Sequence, residues 1–152
     1  MDGRSESPWE SVLRVFHRLC GIPVVPQHVV TDGAGRFVAR GDLWVVGSRM
    51  LHEYDGGGHR DRETHTADLG RDRALLTAGW NRRGYTSLDV LHRPETILRE
   101  ADEPLGRRHR VDRLDPWFDV LAESLFHPVG RERFAVRLRL PASGPSRHRD
   151  TA

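Results

Sequence analysis

The chain of 152 residues contains no lysine, and all 24 of its basic side chains are arginines. This absence excludes chemistry that needs a lysine amine, such as Schiff-base catalysis, a phosphate-binding P-loop or a nuclease that relies on lysine. Cysteine occurs only once, as Cys20. A single cysteine excludes an intramolecular disulfide and any cysteine-based zinc knuckle or finger.

The chain also lacks an apolar run near the ~18 residues that a membrane-spanning helix needs. Residues 1–7 carry no apolar stretch behind a basic start, so we expect no signal peptide and a cytoplasmic location. Hydrophobic residues make up 37% of the chain and charged residues 30%, which is polar for a globular domain but unlike a disordered chain. The length suits one domain with a single core.

Charge is distributed unevenly along the chain. Residues 1–103 hold 14 arginines against 16 acidic residues, whereas residues 104–152 hold 10 against six. We therefore predict an acidic core domain over 1–103 and a basic C-terminal extension over 104–152, partly helical and disordered from residue 142. A basic extension favours a nucleic-acid partner. A solvated, arginine-rich surface explains the charge alone at least as well.

The hydrophobic pattern predicts an α/β fold, with a small mixed β-sheet flanked by helices. Ser7 and Pro8 are typical of a helix start, and Gly21 of a helix end. A strand after the second helix is only weakly indicated, because the residues of that segment are mostly polar. The predicted ranges are a helix over 8–20, strands over 27–31, 36–46 and 49–54, a helix over 62–78, a weak strand over 82–87, helical residues over 87–101 divided by Pro94, a connector over 104–113, a helix over 115–125, and an edge strand or extended arm over 134–140.

Three carboxylates converge in the predicted hairpin. If the hairpin turns at Gly47–Ser48 as a type II′ turn, Asp42 lies opposite Glu53, and Asp55 shares the face of Glu53. Directly opposed like charges destabilise a sheet by up to ~1 kcal/mol per pair. Such a cluster is therefore expected to hold a cation, a proton or an arginine. Mg²⁺ is the natural occupant, because it takes carboxylate oxygens and favours phosphate substrates.

Each of these residues also has a simpler interpretation. A register slip of one residue would turn Asp42 to the opposite face and dissolve the cluster. Asp55 followed by glycine is equally typical of an ordinary turn. His59, which follows a run of three glycines, is positioned to return to the cluster as a general base, yet a lone loop histidine is more often a surface residue. Glu10 is more often a first-turn helix charge than a ligand.

Several segments together carry a resemblance to a known family. They are the run Ser7-Pro8-Trp9-Glu10-Ser11 with Leu13-Arg14, Ala39-Arg40-Gly41-Asp42-Leu43, Glu53-Tyr54-Asp55-Gly56 with His59, Asp68 through Asp72, and Ala78-Gly79-Trp80. In these segments, over roughly residues 7–90, the chain resembles the very-short-patch-repair-like endonuclease domain of the PD-(D/E)XK nuclease superfamily. The resemblance implies a restriction-endonuclease-like fold and metal-dependent hydrolysis of phosphodiester bonds.

The resemblance also implies roles for individual residues. Asp42 matches the metal-binding aspartate of the second strand, and Glu53 matches the acidic residue of the third. Asp55 stands where the superfamily often has lysine and would orient or share the metal. His59 matches a histidine used near the scissile phosphate, and Glu10 matches a first-helix glutamate that often completes the site.

These inferences lead to one main hypothesis and two alternatives. The main hypothesis is a DNA endonuclease that uses Mg²⁺ or Mn²⁺, with Arg107, Arg108 and Arg110 contacting phosphates of the DNA. The missing lysine and the polar fourth strand favour an alternative, a catalytically degenerate nuclease fold that acts as a nucleic-acid-binding or regulatory module. A second alternative is a structural α/β protein whose carboxylates pair with arginines.

Overall fold

A computed structural model describes residues 7–56 and 62–137 of the protein. Its helices and strands, in chain order, are α1 (Pro8–Leu19), β1 (Val24–Thr31), β2 (Phe37–Val45), β3 (Met50–Tyr54), α2 (Arg62–Thr77), β4 (Asn81–Tyr85), α3 (Ser87–His92), α4 (Pro94–Asp102), α5 (Asp115–Glu123) and α6 (Pro128–Arg137). Short 3₁₀ turns follow α4 at Glu103–Leu105 and precede α5 at Val111–Leu114. The contacts divide the chain into two compact units, one ending at Pro116 and one beginning at Trp117.

The sheet has the order β1-β2-β3-β4. Strands β1, β2 and β3 form an antiparallel meander, and β4 pairs in parallel with β3. Helix α2 makes the crossover between the parallel strands, as such a connection requires. The predicted α/β class, with a mixed sheet flanked by helices, is confirmed.

Helix α1 starts and ends where local chemistry dictates. The Ser7 side chain caps the helix by accepting a hydrogen bond from the Glu10 backbone N–H at 3.2 Å, and Pro8 occupies the first turn. Gly21 takes a positive φ of 65° just beyond the helix. The helix buries Leu13 and Phe16 completely, which fixes its apolar face against the sheet.

The hairpin between β2 and β3 has the predicted register. Leu43 pairs with His52, and Val45 pairs with Met50. The turn itself differs from prediction, because the Ser48 N–H donates to the Val45 carbonyl at 3.1 Å and Gly47, with φ 88°, is therefore the third residue of the turn. A type II′ turn at Gly47–Ser48 would make that glycine the second residue. The strand pairing is unaffected.

The sheet has a core on the side covered by α2. Val30, Ala39, Leu51 and Leu75 form a buried cluster there, and the indole rings of Trp44 and Trp80 pack against it, as does Val38. On the other side of the sheet, His52 of β3 contacts His17 of α1. Strand β3 therefore lies between two helices, which explains why four of its five residues are buried.

Strand β4 exists despite its polar sequence. Only Tyr85 of its five residues is buried, and β4 lies at the edge of the sheet. The edge position explains the polar composition of β4, because an edge strand has no neighbouring strand on one flank and tolerates charged side chains.

One predicted element is wrong. Residues 134–137 form the end of helix α6 rather than an edge strand or extended arm. Alternation of apolar and arginine residues over four positions does not separate strand from helix, and α6 continues through them from Pro128. Residues 138–140, and the end from residue 142 predicted to be disordered, lie outside the described residues. Within the described residues, no helix is both long and apolar enough to cross a membrane.

Candidate active site

Asp42 caps the end of strand β3 with its side chain. Its Oδ2 accepts a hydrogen bond from the Tyr54 backbone N–H at 2.9 Å. The ladder between β2 and β3 ends one pair earlier, at Leu43 and His52. The carboxylate therefore takes the place that a backbone carbonyl would occupy in a continued ladder.

The alternation of faces is interrupted at this point in β2. A Cβ on Gly41 would lie 2.8 Å from the Leu51 methyls, so Gly41 faces the same core as Leu51 and its partner Trp44. Residues three apart in a regular strand face opposite sides. On β1, Gln27 stands opposite Asp42 with φ 52°, which is the only positive φ of a non-glycine residue in the described chain. This local irregularity directs the Asp42 side chain toward β3.

Asp42 lies in an acidic environment. Burial, together with the negative charges of Glu10 and Glu53, raises the pKa of Asp42 to about 6, although the Tyr54 N–H and the charge of Arg71 oppose the shift. Glu10 comes from the first turn of α1, and Glu53 from β3. The structure thus brings Glu10 and Glu53 within electrostatic reach of Asp42, and a cation or proton at Asp42 would relieve the repulsion.

Glu53 is neutralised by two arginines. Its carboxylate, only 6% exposed, accepts two hydrogen bonds from Arg71 of α2, at 2.6 and 3.0 Å. Arg82 of β4 donates to the same carboxylate at 2.9 Å and also pairs with Asp72. Arg71 is further fixed by donating to the Arg40 carbonyl at 2.7 Å. We call Arg71 and Arg82 the arginine pair.

Sequence analysis missed the arginine pair. Neither Arg71 nor Arg82 is among the site residues predicted from the sequence. The available signal is the predicted carboxylate cluster itself, since opposed like charges are expected to hold a cation, a proton or an arginine. Neither arginine is close to Glu53 in sequence, so no local pattern reveals the contact.

Asp55 lies beyond the end of β3, on the side of β4. Its backbone N–H donates to the Tyr85 carbonyl at 2.7 Å, and its side chain lies over Gly84, where a Cβ would come within 3.1 Å of Oδ2. Glycine at 84 therefore permits this position of the carboxylate. His59 lies outside the described residues, and its predicted role stays a prediction.

The arginines of the predicted phosphate contacts lie in the segment between the two 3₁₀ turns. Arg107, Arg108 and Arg110 are all exposed. Arg110 forms an ion pair with Asp112, through Nε at 3.1 Å and a second short contact. Their contact with DNA stays a prediction.

A second buried polar group lies on the other face of β3. His17 and His52 are fully buried, and His17 Nε2 lies 2.8 Å from His52 Nδ1. Because the Leu13 carbonyl can only accept, His17 Nδ1 donates to it at 2.7 Å, and His52 must then donate to His17. The Tyr85 hydroxyl lies 3.3 Å from His52 Nε2 and donates to Glu100 at 2.7 Å. Burial lowers the pKa of His17 to about 4 and that of His52 well below 6.5.

Comparison of the chain with protein families, with curated proteins and with solved structures gave no match. The resemblance to the patch-repair-like endonuclease domain therefore rests on the segments quoted above, and the restriction-endonuclease-like fold stays a prediction.

The acidic environment of Asp42 predicts the effect of neutralising it. The folded state holds the Asp42 proton more tightly than the unfolded chain, with a pKa of about 6 against 3.8, so stability falls as pH rises through this window. Asp42→Asn removes the charge and keeps an oxygen for the Tyr54 N–H. We expect the free energy of unfolding at pH 7.5 to rise by roughly 1–2 kcal/mol, about half of the full linkage value because solvent reaches the carboxylate.

Urea unfolding at pH 7.5 and pH 4 measures this effect. The gain should shrink at pH 4, where the folded wild type is already protonated at Asp42. Asp119→Asn, at an exposed position of α5, is the matched control and should leave stability unchanged at both pH values. A loss of stability in Asp42→Asn would instead show that the charged carboxylate is needed for the fold.

Proposed function

We propose that the protein is a cytoplasmic, metal-dependent hydrolase of phosphodiester bonds in DNA, with its site at Glu10, Asp42 and Glu53. The observation that carries this proposal is the half-buried Asp42 carboxylate, placed by the strand irregularity beside two further carboxylates. A carboxylate whose charge is only partly compensated destabilises the fold unless a proton or a cation joins it. The order of helix, three strands, helix and strand agrees with what the resemblance implies.

Asp42 and Glu10 are compatible with a divalent cation that is also held by water and by the substrate. Within the described part of the chain, no group of three or more histidine, cysteine, aspartate or glutamate side chains is arranged to hold a metal ion. Mg²⁺ does not require such a preformed group, because it is usually bound by one or two carboxylates together with water and substrate phosphates. Asp42 and Glu10 would supply those carboxylates. The bound ion would polarise the phosphoryl oxygen and lower the pKa of a coordinated water.

The arginine pair would supply the positive charge that the superfamily lysine usually provides. Its guanidinium groups come from α2 and β4 and meet at Glu53, so they are held in fixed positions next to the site. Guanidinium groups placed where negative charge develops stabilise the transition state of phosphoryl transfer. In this proposal Arg71 and Arg82 contact the phosphate, and Glu53 positions them.

A second candidate function is a nucleic-acid-binding module without catalysis. It is favoured by the same arginine pair, because both oxygens of Glu53 already accept hydrogen bonds from arginines and are less available to a metal. In that case phosphate would bind the arginines and no cation would be needed at Asp42.

A cleavage assay separates the two candidates. We expect nicking of supercoiled plasmid or cleavage of labelled single-stranded DNA with Mg²⁺ or Mn²⁺, abolished by EDTA. Asp42→Asn should lower the rate by at least ~100-fold, because a catalytic metal contributes several kcal/mol of transition-state stabilisation. Asp119→Asn should retain full activity.

Asp42→Asn is a better test than Glu53→Gln, because it removes a metal ligand while the fold is expected to gain stability. If wild type and Asp42→Asn are equally inactive with both metals yet bind DNA equally well, the binding module replaces the hydrolase. EDTA-resistant cleavage would argue against both.

A further inference from the structure

A pocket of about 340 Å³ lies between helix α2 and the edge strand β4. Leu75, Leu76 and Trp80 form an apolar wall. The other lining residues are Asp55, Asp72, Asn81, Arg82, Arg83 and Gly84. This volume is at the lower end of the range for ligand pockets, about 300–1,000 Å³, so it suits a single ring system rather than a helix or strand.

The aromatic part of the wall is held in place before any ligand arrives. The Trp80 ring packs against His28 at a centroid distance of 5.4 Å and against Trp44 at 6.1 Å. Next to it, Leu76 is 62% exposed, which is unusual for a leucine beside a pocket. A flat ligand would cover both side chains without any change in the core behind Trp80.

The polar part of the pocket lies along the edge strand. Asn81 lines the pocket and is exposed at the start of β4. Arg83 is 53% exposed and forms an ion pair with Glu100 at 3.3 Å, so its charge is compensated. Strand β4 is the edge of the sheet, so the polar wall is not covered by another strand of the described chain.

Arg82 joins the pocket to the candidate active site. It lines the pocket and donates to Glu53 at 2.9 Å, and Asp55 extends the pocket from the end of β3. A ligand in the pocket would therefore contact Arg82, one member of the arginine pair, which also pairs with Glu53 and Asp72. A nucleotide unit combines a flat ring with an adjacent phosphate, which matches an apolar wall beside a guanidinium group.

We propose that this pocket binds one unstacked base of single-stranded DNA, with the ring on Trp80 and Leu76. The inference rests on the proposed function and deepens it, since it names single-stranded DNA as the substrate. Bases in a duplex are stacked and paired, and moving one into a pocket costs a few kcal/mol. Stacking on an aromatic side chain contributes about 1–3 kcal/mol per base.

Binding can be measured in EDTA, so that cleavage does not interfere. The probes are a fluorescein-labelled deoxythymidine decamer, the same decamer with abasic sites throughout, and the decamer paired in a duplex. We expect the full chain to bind the single-stranded decamer at least ~10-fold more tightly than the abasic strand. The duplex should bind more weakly than the single-stranded decamer.

Leu76→Glu tests the pocket itself, and Leu69→Glu is its matched control. Both leucines are exposed on α2, both changes add one negative charge, and only Leu76 lines the pocket. We expect Leu76→Glu to raise the Kd for the single-stranded decamer at least ~10-fold above that of Leu69→Glu. It should also abolish the preference over the abasic strand.

Three results would overturn the pocket proposal. They are equal binding of base-containing and abasic strands, equal effects of the two glutamate variants, and no binding of any strand by wild type. The cleavage assay judges the proposed function separately. Metal-dependent cleavage combined with any of these results leaves the hydrolase in place and removes only the base pocket.

Discussion

Glu53→Gln is expected to lower the free energy of unfolding by about 2–3 kcal/mol. The carboxylate is 6% exposed and accepts hydrogen bonds from both members of the arginine pair. Glutamine keeps the shape but loses the charge, so Arg71 and Arg82 would face an amide. Removing one partner of a buried ion pair costs about 3–5 kcal/mol. We expect a smaller loss than this, because the two arginine side chains are 31% and 20% exposed.

Urea unfolding with an unchanged m-value measures this loss. Asp72→Asn is the control, because among the described residues Asp72 pairs only with Arg82, and it is 38% exposed. It should cost no more than about 1 kcal/mol. Equal losses in the two variants would show that the arginine pair contributes nothing beyond a surface contact. Neighbouring Asp42 and Glu53 are thus expected to respond in opposite directions when neutralised.

Acid is expected to destabilise the protein through His17 and His52. Burial lowers the pKa of His17 to about 4, whereas an unfolded histidine titrates near 6.5. Between these values the unfolded chain binds a proton at His17 and the folded state does not. Stability therefore falls as pH falls from 6.5, and the loss through His17 levels off below about 4. His17 alone accounts for about 3 kcal/mol over this range. His52, whose pKa is lowered in the same direction, adds to the loss.

Protonation of Asp42 stabilises the fold as pH falls over part of the same range. The destabilisation caused by the histidines is therefore best measured in a variant without this carboxylate. We would determine unfolding free energies in urea from pH 7.5 to 4.5 for Asp42→Asn and for Asp42→Asn combined with His17→Gln. Glutamine retains a donor and an acceptor but does not titrate. The double variant should lose about 2 kcal/mol less than the single variant. Equal losses would rule out His17 as the cause.

Much of the fold could be predicted from local chemistry. Ser7, Pro8 and Gly21 mark the ends of α1, and glycine and serine at the turn fix the β2–β3 register. These signals act within a few residues, so they are visible in the sequence. The parallel placement of β4 beside β3 was not predicted, because it depends on contacts with α2 and β3 that no local sequence pattern reveals.

The candidate site was harder to predict, because it too depends on contacts between residues that are distant in sequence. The prediction that Asp42 lies directly across from Glu53 assumed that β2 alternates without interruption. The irregularity at Gly41 and Gln27 breaks the alternation of side chains between the two faces of the sheet. No sequence pattern at either residue predicts this irregularity. Opposing like charges were expected to need a partner, and an arginine was among those considered. Which arginines meet Glu53 depends on how α2 and β4 pack, 18 and 29 residues further along the chain.

The parallel pairing of β3 with β4 also has a consequence for how the chain assembles. Strands β1, β2 and β3 are joined by short turns, so closing these pairs costs little chain entropy. Pairing β4 requires the chain to close a much longer loop that includes the whole of α2. Glu53 can therefore enter a folded meander while Arg71 and Arg82 are still absent. The charge balance of the site is completed only when β4 pairs with β3.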